Sequence, residues 1–459
     1  MSARDAFQPT PAAAAAGLPE RIGRYRVQAR IGEGATSEVF LGHDDFRDRP
    51  VAIKRVRQDL LADSFDLRYQ EHFFAAEAAL AGRLQHPNVV QILDAVADDP
   101  LPYIVMEYVP GDSLRRFCRP DSLLGLAQVV EIGFKCAMAL GYMFRQGLIH
   151  RDVKPANILA VFDEHDALSE VKLSEIKVSD FGSVFDLRAE RTQVFRVGSL
   201  AYMSPQQLDG DTADARSDIY SLSAVLYHLV AGRPPFDAEQ PAVLMNQICV
   251  QPPPPLSALR EGVPPALERL ILSGLEKELS ARPANWDAFA AALSDLAASP
   301  DLPRGNMHAL LDAERFALLR GLDFFAGFGD VELWEVVHRA LWQRWRFGDA
   351  LYRKGELGNT FHILCAGGVD IYRDGTRVAQ LGAGTSVGEM AYLAPNPLLR
   401  SHAADVIVRD PAVTVAFTPE ALDRLSPTTR HRFDKAFIQV LVRRLHAAHE
   451  ALHHPQRIL

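Results

Sequence analysis

Cysteine is scarce: the 459 residues contain four, Cys118, Cys136, Cys249 and Cys365, widely separated and with no C-x-x-C pair. That scatter excludes a disulfide framework or a thiolate zinc site and points to a reducing, cytoplasmic compartment. Long apolar runs are missing too, and no stretch approaches the roughly 20 apolar residues of a membrane helix. The Ala/Pro-rich start, residues 1–24, has no extended apolar segment of the kind a secretory signal needs, and it reads as a disordered leader. There is no excess of basic charge. With 49 basic against 58 acidic residues the formal net charge is −9, which argues against a nucleic-acid partner. No internal repeat of solenoid length is found.

What is present is a soluble-type composition in a chain too long for one ordinary core, so two or three domains are expected. Residues 25–56 alternate apolar and polar around Gly and Arg/Pro turns, the pattern of an antiparallel sheet. The pattern turns helical from about 66 to 85, and from about 122 helices dominate to about 297. A Pro/Gly/Ser-rich stretch then marks a linker at 298–309. Residues 307–347 read as helical, 348–417 as short strands between glycines, and 419–450 as one or two closing helices. Asp374-Gly375 predicts a two-residue hairpin turn.

Chemistry is concentrated in ordered motifs. Gly32-Glu-Gly34-Ala-Thr-Ser37 can close backbone N–H groups over phosphate oxygens. Lys54 ends the apolar strand Val51-Ala52-Ile53-Lys54, and Glu77 is the one acid on an otherwise apolar and small helix face, costly to bury unless paired. In His150-Arg151-Asp152-Val-Lys154-Pro-Ala-Asn157 a carboxylate, a cation and an amide oxygen fall within six residues. They are the three groups that in-line phosphoryl transfer requires: proton acceptor, phosphate clamp and magnesium ligand. Asp180-Phe181-Gly182 follows, after an acidic insert beginning at Val161 that is expected to lengthen a surface loop.

Taken in order, these motifs resemble those of serine/threonine protein kinases, most closely the bacterial branch, over residues 25–297. The resemblance implies ATP and Mg2+ as cofactors, protein hydroxyls as substrates, and roles for individual residues. Asp152, Lys154, Lys54 and Glu77 would be catalytic, with Asn157 and Asp180 as metal ligands. Ile31, Gly32, Gly34, Val39, Ala52, Lys54, Met106, Glu107, Val109 and Leu159 would surround the nucleotide. Arg151 would meet an activation-loop phosphate, with Thr192 as candidate phosphosite and Ser199 where a threonine is usual. Asp218 would brace the catalytic loop. Gln206 replaces the glutamate that in the family pairs with a buried arginine, here Arg282, so that anchor is expected to be weaker.

Residues 310–450 resemble the cyclic nucleotide-binding domain, through LDFFAGFGDVELWEVV, RFGDALYRKGELGNTFHILCAGGVDIY and VGEMAYLAPNPLLRS. Glycines 348, 355, 358, 368, 384 and 388 are expected at strand corners. The resemblance implies cAMP or cGMP as ligand, with Glu389 on the ribose, Arg400 on the phosphate, and Gly388 and Ser401 beside them. Two features depart from the family: Leu398-Leu399 precede the arginine, and His402 stands where a small residue is usual. The fold class expected is therefore α+β, a bilobal kinase fold followed by a β jelly roll with flanking helices. Two readings of the second domain remain open: cyclic nucleotide effector site, or ligand-free docking or homodimerisation module on a constitutive kinase.

Overall fold

The computed structural model describes residues 18–34, 37–57, 77–97, 101–163, 172–186, 197–210, 214–304, 310–392 and 400–453. The leader up to residue 17, most of the helix expected before Glu77, the centre of the acidic insert and Thr192 lie outside these. The chain divides into two compact units, Met1–His308 and Ala309–Leu459.

The first unit opens with a six-stranded antiparallel sheet of β1 (Arg21–Ile22), β2 (Tyr25–Glu33), β3 (Ser37–Asp44), β4 (Arg49–Val56), β5 (Ile92–Val96) and β6 (Tyr103–Glu107), in the order β1-β2-β3-β4-β6-β5. The alternation read from the sequence is realised: Tyr25, Phe40, Val51, Ile53, Tyr103 and Val105 form its core. Among the described residues the helix reaching Glu77 ends at Ala78, short of the expected residue 85. Turns take over up to Arg83, and Gly82 at φ +71° reverses the chain so that its N–H meets Ile92 O.

The larger lobe packs around α1 (Leu126–Arg145), crossed by α3 (Ala215–Ala231) and α6 (Trp286–Ala298), with α2 (Pro205–Asp209), α4 (Pro241–Val250) and α5 (Pro265–Gly274) around them. Contrary to the sequence expectation, α1 is long and apolar enough to cross a membrane. Its apolar stretch is 89% buried in this lobe, so its composition is that of a core helix. Glycines make the close crossings: a Cβ on Gly133 would lie 3.0 Å from Leu226 Cδ1. Strands interrupt the helical stretch: β7 (Asp112–Ser113), β8 (Leu148–Ile149), β9 (Ile158–Asp163), β10 (Lys172–Val178) and β11 (Phe185–Asp186). The flanks of the acidic insert are thus an antiparallel β9–β10 ladder rather than loop.

The second unit is built on two 13-residue strands, β14 (Phe361–Arg373) and β17 (Asp405–Phe417), paired antiparallel along their length. At one end β12 (Leu341–Trp345) and β16 (Ser386–Val387) flank the pair; at the other, β13 (Ala350–Tyr352) and β15 (Thr376–Gly382) do. The ladder breaks between, where Gly367 takes φ +80° and a Cβ there would lie 2.4 Å from Pro411 O. A glycine facing a proline, which has no N–H to donate, is where a long ladder can bend into a roll. The DG hairpin forms as expected, with Asp374 at φ 53° and Gly375 at φ 78°. Glycines 348, 355, 384 and 388 sit at positive φ as strand-corner residues do, whereas Gly368 lies inside β14.

Residues 341–345 are strand, not the continued helix expected, because Leu341–Trp345 pairs along β17. The helices α7 (Asp312–Arg320) and α8 (Asp330–Arg339) precede it, and α9 (Glu389–Tyr392), α10 (Pro419–Asp423) and α11 (Pro427–His453) follow. Phe324, Phe325 and Phe328 lie in a 3-10 turn, Asp323–Phe325, and the loop after it rather than in the helix expected there; they pack with Phe433 and Phe437 of α11 and reach Phe361 and Phe417 on the roll through the same cluster.

Candidate active site and cassette

The β3–β4–β6 register places side chains before any ligand is considered. Val39 lies opposite Lys54 and Ala52 opposite Met106, while Gly32 faces Val39 across the hairpin. Gly34 N–H donates to Ser37 O at 2.7 Å, closing the turn whose tip, residues 35–36, is not described. Ile31 sits beside a register break in β2 and is 46% exposed, an apolar side chain on the open edge of this cleft. Leu159, on β9, lies opposite Lys177 of β10, and Lys177 Nζ reaches Glu107 Oε1 at 2.7 Å. This buried lysine ties β10 to the segment carrying Met106, Glu107 and Val109. Sequence reading missed it, because a lysine in an alternating strand looks like a solvent-facing residue.

Lys54 Nζ lies 2.7 Å from both Glu77 Oε2 and Asp180 Oδ1. Burial alone would lower the lysine's pKa; the carboxylates of Asp180 and Glu77 outweigh it and raise the pKa above its ordinary value. Glu77 is pushed up by burial and pulled back by Lys54, whereas Lys54 holds Asp180 well below the usual carboxylate range. A charged Lys54 beside an ionised Asp180 is the direction these environments support, since Asp180 is the more exposed of the two acids. Asp180 itself takes φ 64°, a left-handed conformation uncommon for a non-glycine residue. Phe181 is buried against His150, ring centroids 5.8 Å apart.

The catalytic-loop residues converge. Lys154 Nζ is 2.6 Å from Asp152 Oδ2, and Asn157 Nδ2 donates to Asp152 O at 2.9 Å and to Oδ2 at 3.0 Å. Both amide protons used in this way leave Asn157 Oδ1 as an acceptor oxygen. Arg151 adopts φ 66°, and the bend is held from below: Asp218 on α3 accepts from His150 N–H at 2.7 Å and Arg151 N–H at 2.8 Å. Burial raises the Asp218 pKa against these hydrogen bonds. Gln207 Nε2 donates to Arg151 O at 2.9 Å, a support not read from the sequence. Gln206 Oε1 accepts from Arg282 Nη2 at 2.6 Å, so an amide makes the anchor. Ser199 lies in a 3-10 turn, Val197–Tyr202, and Thr192 lies outside the described residues.

In the second unit Gly388 has φ 84°, with Tyr352 Oη 2.4 Å from where a Cβ would stand. Glu389 begins α9 and is buried, whereas Arg400 and Ser401 are exposed. Residues 393–399 between them are outside the described set. The segment 400–402 is tied to the turn before β14: Gly358 N–H donates to Arg400 O, and His402 N–H to Glu356 O. His402, standing where a small residue is usual, turns inward and stacks on Tyr352 at 3.9 Å.

A two-lobed fold with a glycine turn over a lysine–carboxylate pair, and a braced loop presenting Asp152, Lys154 and Asn157, defines a protein kinase fold. Comparison with known sequences agrees: residues 25–292 match the protein kinase domain family, and the chain belongs to it. Residues 342–428 match the cyclic nucleotide-binding domain family. Among curated proteins the chain is similar to serine/threonine-protein kinase PknB of Mycolicibacterium smegmatis, 37% identical over 310 residues, covering 64% of this chain and 46% of that protein. A probable serine/threonine-protein kinase of Corynebacterium efficiens is 38% identical over 266 residues, covering 55% and 38%. One of Streptomyces coelicolor is 34% identical over 270 residues, covering 57% and 38%. The chain thus spans less than half the length of these relatives.

Proposed function

We propose that the chain is a Mg-ATP-dependent serine/threonine protein kinase, acting in the cytoplasm on protein hydroxyls, whose second domain binds a cyclic nucleotide and adjusts that activity. The observation that carries the kinase reading is Lys54 within 2.7 Å of both Glu77 and Asp180. On this reading the kinase domain runs over 25–297 and the regulatory domain over 310–450.

The donor set fits a magnesium ion shared with a nucleotide. Among the described residues no cluster of three or more His, Cys, Asp or Glu side chains could hold a metal by itself. Asp180 and the free oxygen of Asn157 offer the one or two protein ligands magnesium takes when phosphates and water complete its shell. Bound there, the ion would neutralise charge developing between phosphates. The chain's own residues do the rest. Lys54, held charged by Glu77 and Asp180, binds phosphate oxygens. Asp152 accepts the substrate hydroxyl's proton, and Lys154, 2.6 Å from it, clamps the phosphoryl group being transferred. Asp218 and Gln207 keep the loop in position through its backbone. Arg151 would receive an activation-loop phosphate, with Thr192 as acceptor.

Transfer of radiolabel from ATP to a generic basic protein, compared between wild type and Asp152→Asn, tests catalysis; equal signal from both ends the enzyme reading. Repeating the assay with cAMP and with cGMP tests regulation, which requires that the ligand favour one of two states. A second reading, that the tail domain is a dimerisation module, draws on α11, where Ile438, Leu441, Val442 and Leu445 are exposed at helical spacing. Sedimentation of wild type against Leu441→Glu decides it: a monomer in both forms removes that reading.

A further inference from the structure

In the segment that follows the cassette, side chains alternate across a short ladder. Arg400 O and His402 N–H both bond to residues 356–358, and Gly355 N–H closes the ladder on His402 O at 2.8 Å. Residues two apart on an extended segment share a face. Arg400 therefore stands at the outer rim of the face on which His402 is the deep residue. The imidazole is 8% exposed, lies flat on Tyr352, and packs so closely on Gly358 that a Cβ there would be 2.2 Å from His402 Nε2. Tyr352 Oη, on the same ring, lies beneath Gly388 and donates to Thr360 O at 2.9 Å. Among the described residues neither nitrogen of His402 is hydrogen-bonded, although a buried imidazole normally finds a partner.

We propose that His402 is the anion-contacting residue of this cassette: a phosphodiester monoanion entering past Arg400 is met at the floor by the imidazole N–H. The inference rests on the cyclic-nucleotide reading of the domain and assigns its phosphate contact to a residue different from the arginine singled out in the sequence. Arg400 steers the anion from the rim, where an exposed charge contributes little to tight binding. His402 supplies a desolvated, directional donor, and one that gains charge when the anion arrives.

That last property separates the two residues experimentally. Burial lowers the pKa of free His402, so anion binding takes up a proton and affinity falls as pH rises. The other titratable groups around it are Tyr352, Glu356, His362, Glu389, Arg400 and Asp405. Of these His362, pushed down to about 4 by burial, stays neutral from pH 6 to pH 8, and its Nδ1 is engaged with Thr414 Oγ1 at 3.0 Å.

The test is calorimetric titration of cAMP and cGMP into the full chain at pH 6 and pH 8, for wild type, His402→Ala, His402→Arg and Arg400→Ala. Thermal melts confirm that each variant is folded. Wild type is expected to lose affinity about tenfold or more across that range, in line with one linked proton. His402→Ala is expected to bind at least about tenfold more weakly at pH 6. His402→Arg is expected to bind with no pH dependence, because its charge is permanent, and Arg400→Ala to keep the wild-type pH slope with a loss of only a few fold. Abolition by Arg400→Ala with wild-type binding by a folded His402→Ala overturns this inference and leaves the cyclic-nucleotide reading standing. No binding by wild type at either pH overturns both.

Discussion

At the kinase site Lys54 sits between two carboxylates at 2.7 Å, and Asp218 holds the loop carrying Asp152 by two backbone bonds. At the cassette the permanent cation, Arg400, is exposed, and the buried ring is an imidazole without a hydrogen bond among the described residues. The first site is organised before any substrate arrives. On the proposed reading the second gains a partner for His402 only when its ligand binds. Preorganised charge suits a site that must stabilise a transition state repeatedly. A site that gains its interactions on binding suits a switch, since only differential interaction moves an equilibrium.

The largest effect should come from breaking the organised site. Asp152→Asn removes the proposed proton acceptor while its amide can keep a hydrogen bond to Asn157. Phosphoryl transfer should fall by roughly a thousandfold, measured as initial rate at saturating ATP, with the melting temperature unchanged. A rate within tenfold of wild type would mean that Asp152 is not the base.

Next comes the anchor of the helical lobe. Arg282 is 4% exposed and bonds Glu276 O, Arg216 O, Lys277 O and Gln206 Oε1, with its guanidinium over Tyr220. Burial pulls its pKa down to about 10, so it remains charged at neutral pH. Arg282→Leu leaves these acceptors unsatisfied and should cost about 3 kcal/mol in the kinase-domain transition. Gln206→Glu gains a charge pair but forfeits the amide bond to Lys277 O, and should change stability by less than about 1 kcal/mol. A gain well above that would show that the amide is a real weakness, as the sequence suggested.

The second domain should carry the sharper acid response. Burial, with His402 nearby, pushes the His362 imidazole down to about 4 from 6.5. Above pH 6.5 the ring is neutral in both folded and unfolded chains and contributes no pH dependence. Below it the unfolded chain binds a proton that the folded domain refuses, so stability falls through the window from 6.5 to about 4 and then levels. At about 1.4 kcal/mol per unit the loss comes to about 3.5 kcal/mol. His362→Gln should flatten that part of the stability profile, read by urea denaturation of the full chain at successive pH values.

Legibility followed the same divide. The catalytic loop was readable because its chemistry is contiguous: Asp152, Lys154 and Asn157 meet through local backbone, so spacing alone brings them together. The Asp374-Gly375 turn was readable for the same local reason. Lys177–Glu107 and Gln207–Arg151 were not, since 70 and 56 residues separate the partners. The strand at Leu341–Trp345 was missed because its partner, β17, begins more than sixty residues later. The inward direction of His402 was not readable, because it is set by a ladder to Glu356 and Gly358, which no local pattern encodes.

The smallest effect concerns two glycines of the second domain with nearly the same backbone. Gly375 has φ +78° and nothing within 4 Å of a Cβ, so Gly375→Ala should cost only the left-handed strain, about 1 kcal/mol. Gly388, at φ +84°, carries the same strain, but its Cβ would also meet Tyr352 Oη at 2.4 Å and disturb the ring on which His402 is stacked. The difference between the two variants, taken from thermal midpoints, isolates the cost of displacing Tyr352. Equal shifts would mean that Tyr352 yields freely, and the floor of the cassette would then be softer than its stacked rings imply.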